Sequence, residues 1–276
     1  MLVFPNCKIN LGLHVVSKRE DGFHNIETVF YPVNWCDAIE IIENKTANGP
    51  FIFSQSGIPV GGSPDQNLIY KGWKMMSDLK KIPPIQVHLH KNIPMGAGLG
   101  GGSSDAAYFI NLLNDQFNLG FSLPEKFQIA SELGSDCAFF ITNTPVFAEG
   151  KGNEFSDITV SLDKYFILVV YPGIPSNTKD AYGGLLPHSP EHDIKNILNE
   201  NIHTWKEHLV NDFEVSIFNK YYDTRLLKEK LYDAGALYAS LSGSGSAVFG
   251  IFDKDPLIDF PLPYRSYLQK PQTKIL

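Results

Sequence analysis

Chemistry is first suggested by a glycine-rich stretch from Gly96 to Ser104, in which glycine occupies five of the seven positions from Gly96 to Gly102. Glycine allows positive φ angles and lets a backbone approach a ligand closely. Ser103 and Ser104 end the stretch and can cap the helix that an apolar-periodic run predicts next. A glycine loop at a helix N-terminus directs several N–H groups and the positive end of the helix dipole towards one point. We therefore predict a phosphate-binding loop rather than a flexible linker.

Other phosphate-binding loops differ from this stretch. It lacks the Gly-Lys-Ser/Thr ending of a Walker A loop. Gly96, Gly98 and Gly101 fit the pattern G-x-G-x-x-G, but in a dinucleotide-binding fold the glycines directly follow a strand. Here residues 91–95 separate the predicted strand from the glycines. The sequence also contains neither the His-Arg-Asp nor the Asp-Phe-Gly motif of a protein kinase.

Phosphoryl transfer needs a phosphate-binding loop, charge neutralisation and an aligned nucleophile. Asp136 precedes an apolar run, so it is either a helix cap or a partly buried functional acid. Lys8 lies in a predicted strand between apolar neighbours, where it forms either a structural ion pair or a catalytic Lys–Asp pair. Asn10 shares the strand face of Lys8 because side chains two residues apart point the same way. A second small-residue turn, Ser242–Ser246, either closes over the same site or simply joins two strands.

Cysteine and histidine spacing indicates neither a disulfide framework nor a metal site. The three cysteines, Cys7, Cys36 and Cys137, are odd in number and lack metal-ligand spacing. His88 and His90 share a predicted strand face, but no third ligand has a suitable spacing. We therefore expect no metal-ligating side chains, and the cysteine usage fits a reduced, cytoplasmic protein.

The composition is that of a globular protein with a substantial core. The 276 residues are 43% hydrophobic and 19% charged, and the formal net charge is −7. This charge argues against non-specific nucleic-acid binding. The sequence has no apolar stretch of about 18 residues, and charged residues interrupt the N-terminal apolar runs. We expect no nucleic-acid partner, no membrane span and no signal peptide.

Hydrophobic periodicity and turn residues predict alternating strands and helices. The predicted strands are 2–16, 23–33, 37–43, 51–54, 85–90, 145–149, 165–171, 237–241 and 247–252. The predicted helices are 67–79, 104–114, 123–133, a short one from 180 to 182, 193–221 and 224–234. The tail from Asp253 is predicted to be irregular because it is rich in proline. We read two α+β domains, residues 1–154 and 155–276.

Three motifs in this order resemble the GHMP kinase superfamily of galactose, homoserine, mevalonate and phosphomevalonate kinases. They are Pro5–Leu11, Pro94–Ala107 and Leu241–Val248. The resemblance implies a two-domain α+β fold, with a left-handed βαβ unit in the N-terminal domain and a ferredoxin-like C-terminal domain. It also implies that substrate and ATP bind between the domains. The left-handed crossover would depart from the usual right-handed rule.

A narrower resemblance depends on Lys8-Ile-Asn10, Asp21-Gly-Phe-His24, Glu27-Thr28 and Gly134-Ser-Asp136. These segments resemble the branch of the superfamily that phosphorylates a cytidyl diphosphate alcohol in non-mevalonate isoprenoid synthesis. The small-molecule substrate and ATP with Mg²⁺ are then the expected ligands. No carboxylate stands out as a magnesium ligand, although Ser103 or Ser104 could contact the ion. Monomer and weak dimer both remain open.

The resemblance assigns roles to particular residues. Asp136 corresponds to the general base, Lys8 to its partner and Asn10 to a substrate-positioning amide. His24 corresponds to the histidine that hydrogen-bonds cytosine, between the stacking aromatics Phe23 and Tyr182; where relatives often carry tyrosine, Phe23 keeps the ring and loses a hydroxyl. The substrate set is Asn10, Phe23, His24, Thr178 and Tyr182. The ATP set is Asn67, Lys91, Pro94, Met95, Gly96, Ala97, Gly98, Leu99, Gly100, Gly101, Gly102, Ser103 and Ser104.

Two other interpretations remain open. Another small-molecule kinase of the superfamily would share the glycine loop and would not need a cytosine pocket. A nucleotide-binding module without catalysis, or a dinucleotide oxidoreductase, would use the G-x-G-x-x-G match alone. Acceptor selectivity distinguishes the first alternative, and binding of NAD without ATP would identify the oxidoreductase.

Overall fold

The computed structural model describes residues 1–46 and 49–272. The strands in these residues are β1 Leu2–Val3, β2 Asn6–Lys18, β3 His24–Cys36, β4 Ala38–Glu43, β5 Phe51–Gly57, β6 Ile85–Lys91, β7 Val146–Glu149, β8 Glu154–Asp157, β9 Phe166–Tyr171, β10 Tyr238–Leu241, β11 Val248–Phe252 and β12 Arg265–Gln269. The α-helices are α1 Leu68–Leu79, α2 Gly101–Gln116, α3 Leu123–Leu133, α4 Cys137–Thr142, α5 Thr178–Tyr182, α6 Ile194–Leu198, α7 Trp205–His208, α8 Phe213–Lys220 and α9 Tyr222–Asp233.

The chain forms two compact units that alternate along the sequence. The first unit comprises Met1–Cys7, Asn34–Met95 and Gly100–Thr144. The second comprises Lys8–Val33, Gly96–Leu99 and Pro145–Leu276. The mixture of helices and sheets agrees with the predicted α+β class. The division of the chain at 154/155 stays a prediction.

The first unit is built on a sheet with strand order β1-β4-β6-β5. β5 and β6 pair in parallel and are joined by α1, which gives the βαβ unit that the resemblance implies. α2 packs against α1, α3 and α4. Apolar residues at helical spacing on α1, such as Ile69, Trp73 and Met76, are buried in this layer. The α1 N-terminus is capped by Asn67, whose side chain accepts a hydrogen bond from the Ile69 amide.

The second unit contains an antiparallel sheet with strand order β10-β11-β9-β12. Numbered along the chain within the sheet, this is the order 2-3-1-4 of a ferredoxin-like domain. The connection after β9 carries helices, whereas the connection from β11 to β12 is irregular over 253–264. The apolar core under this sheet includes Leu168, Val170, Phe213, Ile217, Leu227, Leu231, Leu241 and Val248.

The prediction of an irregular tail was wrong at Arg265–Gln269, which forms β12 and pairs with β9. Only Gln269 of these five residues is buried, so β12 lacks the apolar alternation by which strands are recognised. As an edge strand, β12 is held by backbone pairing with the buried β9, which the local sequence does not show. The proline-rich segment before β12 also favoured the prediction of an irregular tail.

The prediction of one long helix over 193–221 was also wrong, because this segment is divided into α6, α7 and α8. Asparagine and aspartate side chains interrupt it by bonding to nearby backbone N–H groups. Asn201 accepts from the His203 amide, and Asn211 accepts from the Phe213 amide. Asn211 also donates to the Leu241 and Gly243 carbonyls, which fixes the turn before α8.

Candidate active site

The strand β2 has an apolar face and a polar face, and both are buried. Its odd-numbered positions carry Cys7, Ile9, Leu11, Leu13 and Val15, while its even-numbered positions carry Asn6, Lys8, Asn10, Gly12 and His14. Buried polar groups are tolerated when they are hydrogen-bonded. The polar side chains of β2 therefore require hydrogen-bond partners from other parts of the chain. Several of these partners belong to the candidate site.

Lys8 and Asn10 satisfy each other on this polar face, which confirms the prediction that they share a face. The Lys8 ammonium donates to Asn10 Oδ1 at 2.6 Å and to the Gly98 carbonyl at 3.0 Å. Asn10 Nδ2 donates to Thr28 Oγ1 at 3.0 Å, and that hydroxyl donates to the Gly12 carbonyl. The amide of Asn10 is thus held in one orientation, and the lysine is attached to the glycine-rich stretch.

Residues 96–99 of the glycine-rich stretch are held in the second unit by the turn at Ser242–Ser246. Ser242 Oγ donates to the Gly98 carbonyl at 3.0 Å, and the Ala247 amide donates to the Ala97 carbonyl at 3.0 Å. The Lys8 amide donates to the Leu99 carbonyl at 3.0 Å. The turn that joins β10 and β11 is therefore also a support for the loop, and its closing over the ligand site stays a prediction.

The contact between the loop and the turn leaves no room for a side chain at Gly98. Its φ is +74°, and a Cβ at this position would lie 1.9 Å from the Ser242 carbonyl oxygen. We expect Gly98→Ala to lower the free energy of unfolding by about 2–4 kcal/mol, because it adds left-handed strain and forces two backbones apart. Urea unfolding checks this value.

Gly102→Ala is the matched control for stability. Gly102 lies in α2, where a Cβ would meet nothing within 4 Å. Alanine is favoured over glycine in a helix by up to about 1 kcal/mol, so stability should be unchanged or slightly raised. Equal loss of stability in both variants would contradict the close approach at Gly98.

The helix that follows the glycine-rich stretch begins earlier than predicted. Gly100, with φ 70°, occupies the N-cap position of α2, and no side chain caps the helix. The prediction that Ser103 and Ser104 cap α2 was therefore wrong, since both lie inside its first turn. Ser104 is fully buried, and its hydroxyl has no hydrogen-bond partner in the described part of the chain.

Lys91, predicted to lie near the nucleotide, is the centre of a buried ion-pair triad in the first unit. Its ammonium donates to Asp37 Oδ2 and, at 2.9 Å, to Asp105 Oδ2. Asp37 Oδ1 also accepts from the backbone amides of Asn92 and Ile93. One carboxylate thus fixes both the lysine and the chain that leads into the glycine-rich stretch.

The two carboxylates of the triad have different electrostatic surroundings. Burial raises the pKa of Asp105 to about 7, although the charge of Lys91 acts in the opposite direction and that of Asp37 adds to the rise. Burial alone would lower the pKa of Lys91, but the charges of Asp105 and Asp37 outweigh burial and raise it. Near neutral pH the lysine is therefore charged, and Asp105 takes up a proton more readily than an ordinary aspartate does.

A cavity of about 190 Å³ lies beside the triad in the first unit. Its lining includes four residues of the predicted ATP set: Asn67, Lys91, Met95 and Gly102. Val60, Gly61, Gln66, Leu68, Leu89 and Asp105 complete it. Apolar walls with a few polar groups suit a flat heteroaromatic ring. The structure thus brings these four predicted residues together, and their role with ATP stays a prediction.

Asp136 occupies the N-cap position of α4 without acting as a cap. Its backbone angles are φ −78° and ψ −15°, and its side chain makes no capping hydrogen bond. The helix-cap interpretation is therefore wrong, and the functional-acid interpretation stays a prediction. Asp136 belongs to the first unit and Lys8 to the second, so the Lys8–Asp136 pair stays a prediction.

Two of the predicted cytosine-binding residues stack on each other in the second unit. The rings of His24 and Tyr182 have centroids 4.4 Å apart and an interplanar angle of 15°. Tyr182 is held from another side by Phe213, at 4.8 Å in an edge-to-face contact. Burial, with a contribution from the charge of Lys18, lowers the pKa of His24. The ring is therefore neutral at pH 7, with one donor and one acceptor nitrogen.

The remaining substrate residues lie in the same unit. Phe23 is 56% exposed, and the Lys151 ammonium lies 4.2 Å from its ring centroid. Thr178 begins α5, with its hydroxyl 3.5 Å from that of Ser244. Phe23 is thus accessible for stacking, as the resemblance implies, and the substrate roles of Phe23 and Thr178 stay predictions.

Sequence reasoning missed Asp37 and Asp105. Asp105 had a usable signal, because it follows two serines and precedes the apolar positions of an amphipathic helix. Asp37 is the first residue of the predicted strand 37–43 and stands just before β4 in the structure, and nothing in that pattern singled out its carboxylate. The cavity walls at Val60 and Gly61 gave no signal, since they lie in a loop.

The cysteines and the helices show the following. Cys7, Cys36 and Cys137 are all free. Among the described residues, no helix combines the length and apolar character needed to span a bilayer.

Comparisons with known proteins agree with these observations. Residues 67–144 match the GHMP kinases N terminal domain, and residues 193–260 match the GHMP kinases C terminal domain. A 4-diphosphocytidyl-2-C-methyl-D-erythritol kinase of Bacteroides thetaiotaomicron is 48% identical, covering 92% of this chain and 93% of that relative. The kinase of the same name from Cytophaga hutchinsonii is 49% identical, and the match covers 93% of this chain and 94% of that relative.

Solved structures show the same fold. A crystal structure of 4-(cytidine 5'-diphospho)-2C-methyl-D-erythritol kinase has a TM-score of 0.78 at 27% identity, covering 91% of this chain and 90% of that one. A crystal structure of a mevalonate kinase has a TM-score of 0.68 at 14% identity, and the match covers 97% of this chain and 98% of that one. At this identity the likeness is one of fold alone. Two segments of this chain match the N-terminal and C-terminal domains of GHMP kinases, and relatives matched over more than nine-tenths of their length are almost half identical to it. This chain therefore belongs to the 4-diphosphocytidyl-2-C-methyl-D-erythritol kinase family of the GHMP kinases.

Proposed function

We propose that this protein transfers the γ-phosphoryl group of ATP to the 2-hydroxyl of 4-(cytidine 5'-diphospho)-2-C-methyl-D-erythritol, a step of non-mevalonate isoprenoid precursor synthesis. The observation that carries the proposal is its likeness, over more than nine-tenths of both chains, to kinases named for this substrate. The phosphoryl donor is ATP, as for GHMP kinases in general. The nucleotide acts as its Mg²⁺ complex.

In the proposed mechanism, Asp136 is the general base. The acceptor hydroxyl oxygen attacks the γ-phosphorus, the bond to the β–γ bridging oxygen breaks, and ADP leaves. The proton of the hydroxyl passes to the Asp136 carboxylate. This role is supported by the segment Gly134-Ser-Asp136, which matches the segment that carries the general base in the kinases that the chain resembles.

Lys8 and the glycine-rich stretch supply positioning and charge. The ammonium of Lys8 is buried, and Asn10 and the Gly98 carbonyl hold it in place. In the proposed role it stabilises negative charge on the attacking oxygen and the transferred phosphoryl group. Such pre-oriented charge accounts for most of the acceleration in phosphoryl transfer. The successive N–H groups of the glycine-rich stretch hold the ATP phosphates.

Selectivity for cytosine is assigned to His24, Tyr182 and Phe23. The neutral His24 ring can hydrogen-bond the base edge, while the aromatic rings offer stacking faces. His24 and Tyr182 already lie against each other, which supports the assignment of both residues to one pocket.

His24→Ala is expected to raise KM for the cytidyl substrate by about 10- to 100-fold, the loss of one hydrogen bond to a buried base edge. KM for ATP should change little, and kcat should fall less than KM rises. Steady-state kinetics with each substrate varied in turn measures both constants. His203→Ala, which removes an exposed histidine of the same unit, is the control. An unchanged acceptor KM in His24→Ala would contradict the cytosine pocket.

The function itself is tested by ATP consumption with Mg²⁺ and four acceptors: the cytidyl substrate, mevalonate, homoserine and galactose. Turnover is expected with the cytidyl substrate alone and should stop when Mg²⁺ is chelated. Turnover with another acceptor would keep the kinase chemistry and reject the cytosine pocket. No turnover with any acceptor from a folded chain would reject the proposed function.

A further inference from the structure

A cluster of metal-ligating side chains lies in the second unit, apart from the residues assigned to phosphoryl transfer. His14 stands on the polar face of β2, His188 in the segment after α5, and Asp212 directly before α8. One ring nitrogen from each histidine and one Asp212 oxygen lie within 4.8 Å of one another. We propose that His14, His188 and Asp212 form a binding site for a divalent transition-metal ion of the zinc type.

The spacing of the donor atoms supports this proposal. His188 Nε2 lies 3.1 Å from Asp212 Oδ2, and His14 Nδ1 lies 3.5 Å from Asp212 Oδ1. Zinc binds imidazole nitrogen and carboxylate oxygen at about 2.0–2.2 Å, so neighbouring donors in a tetrahedral site are about 3.3 Å apart. The two measured separations, which involve different oxygens of Asp212, bracket that value, and one donor atom from each of the three residues lies within 4.8 Å of the others.

The chemistry of the donors selects the class of metal. Two imidazoles and one carboxylate are the ligands that zinc and similar ions use in sites with an open fourth position. Magnesium and calcium prefer oxygen ligands throughout. The site would therefore discriminate against the Mg²⁺ that accompanies ATP, so the two ions would not compete for it.

Burial holds one of the ligands in place. His14 is 3% exposed, and its Nδ1 atom, 3.5 Å from Asp212 Oδ1, is the donor that faces the cluster. The His188 side chain is 49% exposed, which leaves an entry path for the ion and room for water as a further ligand. The site thus combines a buried ligand, His14, with a half-exposed ligand, His188.

The backbone holds the cluster together before any ion binds. The Val15 amide donates to Asp212 Oδ2 at 2.7 Å, and the Asp212 amide donates to the Leu13 carbonyl at 2.9 Å. The His188 amide donates to the Val15 carbonyl at 3.1 Å. Both remote ligands are therefore fixed to the stretch of β2 that carries His14, which reduces the entropy lost on binding.

Binding at this site would affect a neighbouring aromatic residue. Phe213, which follows Asp212, packs edge-to-face on Tyr182. The segment between Tyr182 and His188 is then tied at both ends when an ion joins His188 to Asp212. The ion is expected to stabilise this segment and hence the position of the Tyr182 ring.

The test uses the full-length chain, freed of metal by dialysis against a chelator, and Zn²⁺ as the probe. Competition with a chromophoric chelator is expected to show one Zn²⁺ per chain, and thermal unfolding should shift upwards with added Zn²⁺. His188→Ala should weaken Zn²⁺ binding by at least about 100-fold, more than is typical for loss of an outer partner. This variant changes a half-exposed side chain, so folding should be preserved.

His192→Ala is the matched control, because His192 and His208 form a separate pair with ring centroids 4.4 Å apart. Retained affinity in this variant, together with loss in His188→Ala, supports the site. The proposal is overturned by absence of stoichiometric Zn²⁺ binding, by unchanged affinity in His188→Ala, or by equal losses in both variants. Displacement of Zn²⁺ by millimolar Mg²⁺ would contradict the assignment of the site to a zinc-type ion. None of these measurements depends on kinase activity.

Discussion

Asp136→Asn should lower kcat for phosphorylation by about 10²- to 10⁴-fold, the range expected for loss of a general base. Asparagine keeps the size of aspartate and can still accept a hydrogen bond, but it cannot take the proton of the acceptor hydroxyl. The affinity for ATP should change little, since the proposed role is confined to proton transfer. The measurements are single-turnover phosphoryl transfer and a separate titration of ATP binding.

Asp78→Asn is a suitable control for this substitution. Asp78 is an exposed carboxylate in the same unit, where it pairs with Lys74 one helical turn away. Such surface pairs contribute about 0–1 kcal/mol, so turnover should be preserved. Near-normal turnover in Asp136→Asn would contradict the base assignment. A loss of ATP affinity as large as the loss of turnover would instead assign Asp136 to nucleotide binding.

Local patterns in the sequence were enough to predict several parts of the site. Alternation placed Lys8 and Asn10 on one face, where they form a 2.6 Å hydrogen bond. The helix predicted over 123–133 is confirmed as α3, whose start is fixed by a capping box between Ser122 and Glu125. These features depend on residues close in sequence, so periodicity and capping rules apply to them directly.

Features that depend on distant residues could not be predicted in this way. Lys91 pairs with Asp37, 54 positions earlier, and with Asp105, 14 positions later. The stacking of His24 on Tyr182 joins the start of β3 to a short helix far along the chain. Resemblance to known kinases assigned His24 and Tyr182 to one pocket but not to a stacked pair, and nothing in the local sequence suggested the ion pairs of Lys91. Pairings of this kind follow from the tertiary fold.

The triad around Lys91 leads to the second large expected effect. Asp37→Asn should lower the free energy of unfolding by about 3–5 kcal/mol, the usual result of removing one member of a buried ion pair. The lysine would keep its charge in a buried position, with one face turned towards a neutral amide. Lys91 would compete with the backbone amides of Asn92 and Ile93 for the single remaining acceptor oxygen. Urea unfolding followed by circular dichroism at pH 7 measures the change.

Asp105→Asn is the matched comparison, and its expected effect at pH 7 is below about 1 kcal/mol. Burial raises the pKa of Asp105 to about 7 from an ordinary value of 3.8, so much of this group is already protonated and resembles the amide. The folded state retains a proton that the unfolded chain loses between those pH values. The stabilisation from Asp105 is therefore complete below pH 3.8 and is lost as the pH rises through 7. Lowering the pH from 7 to 5 should stabilise the unsubstituted chain relative to Asp105→Asn. Equal destabilisation by both substitutions, without this pH dependence, would show that the two carboxylates share the charge of Lys91 evenly.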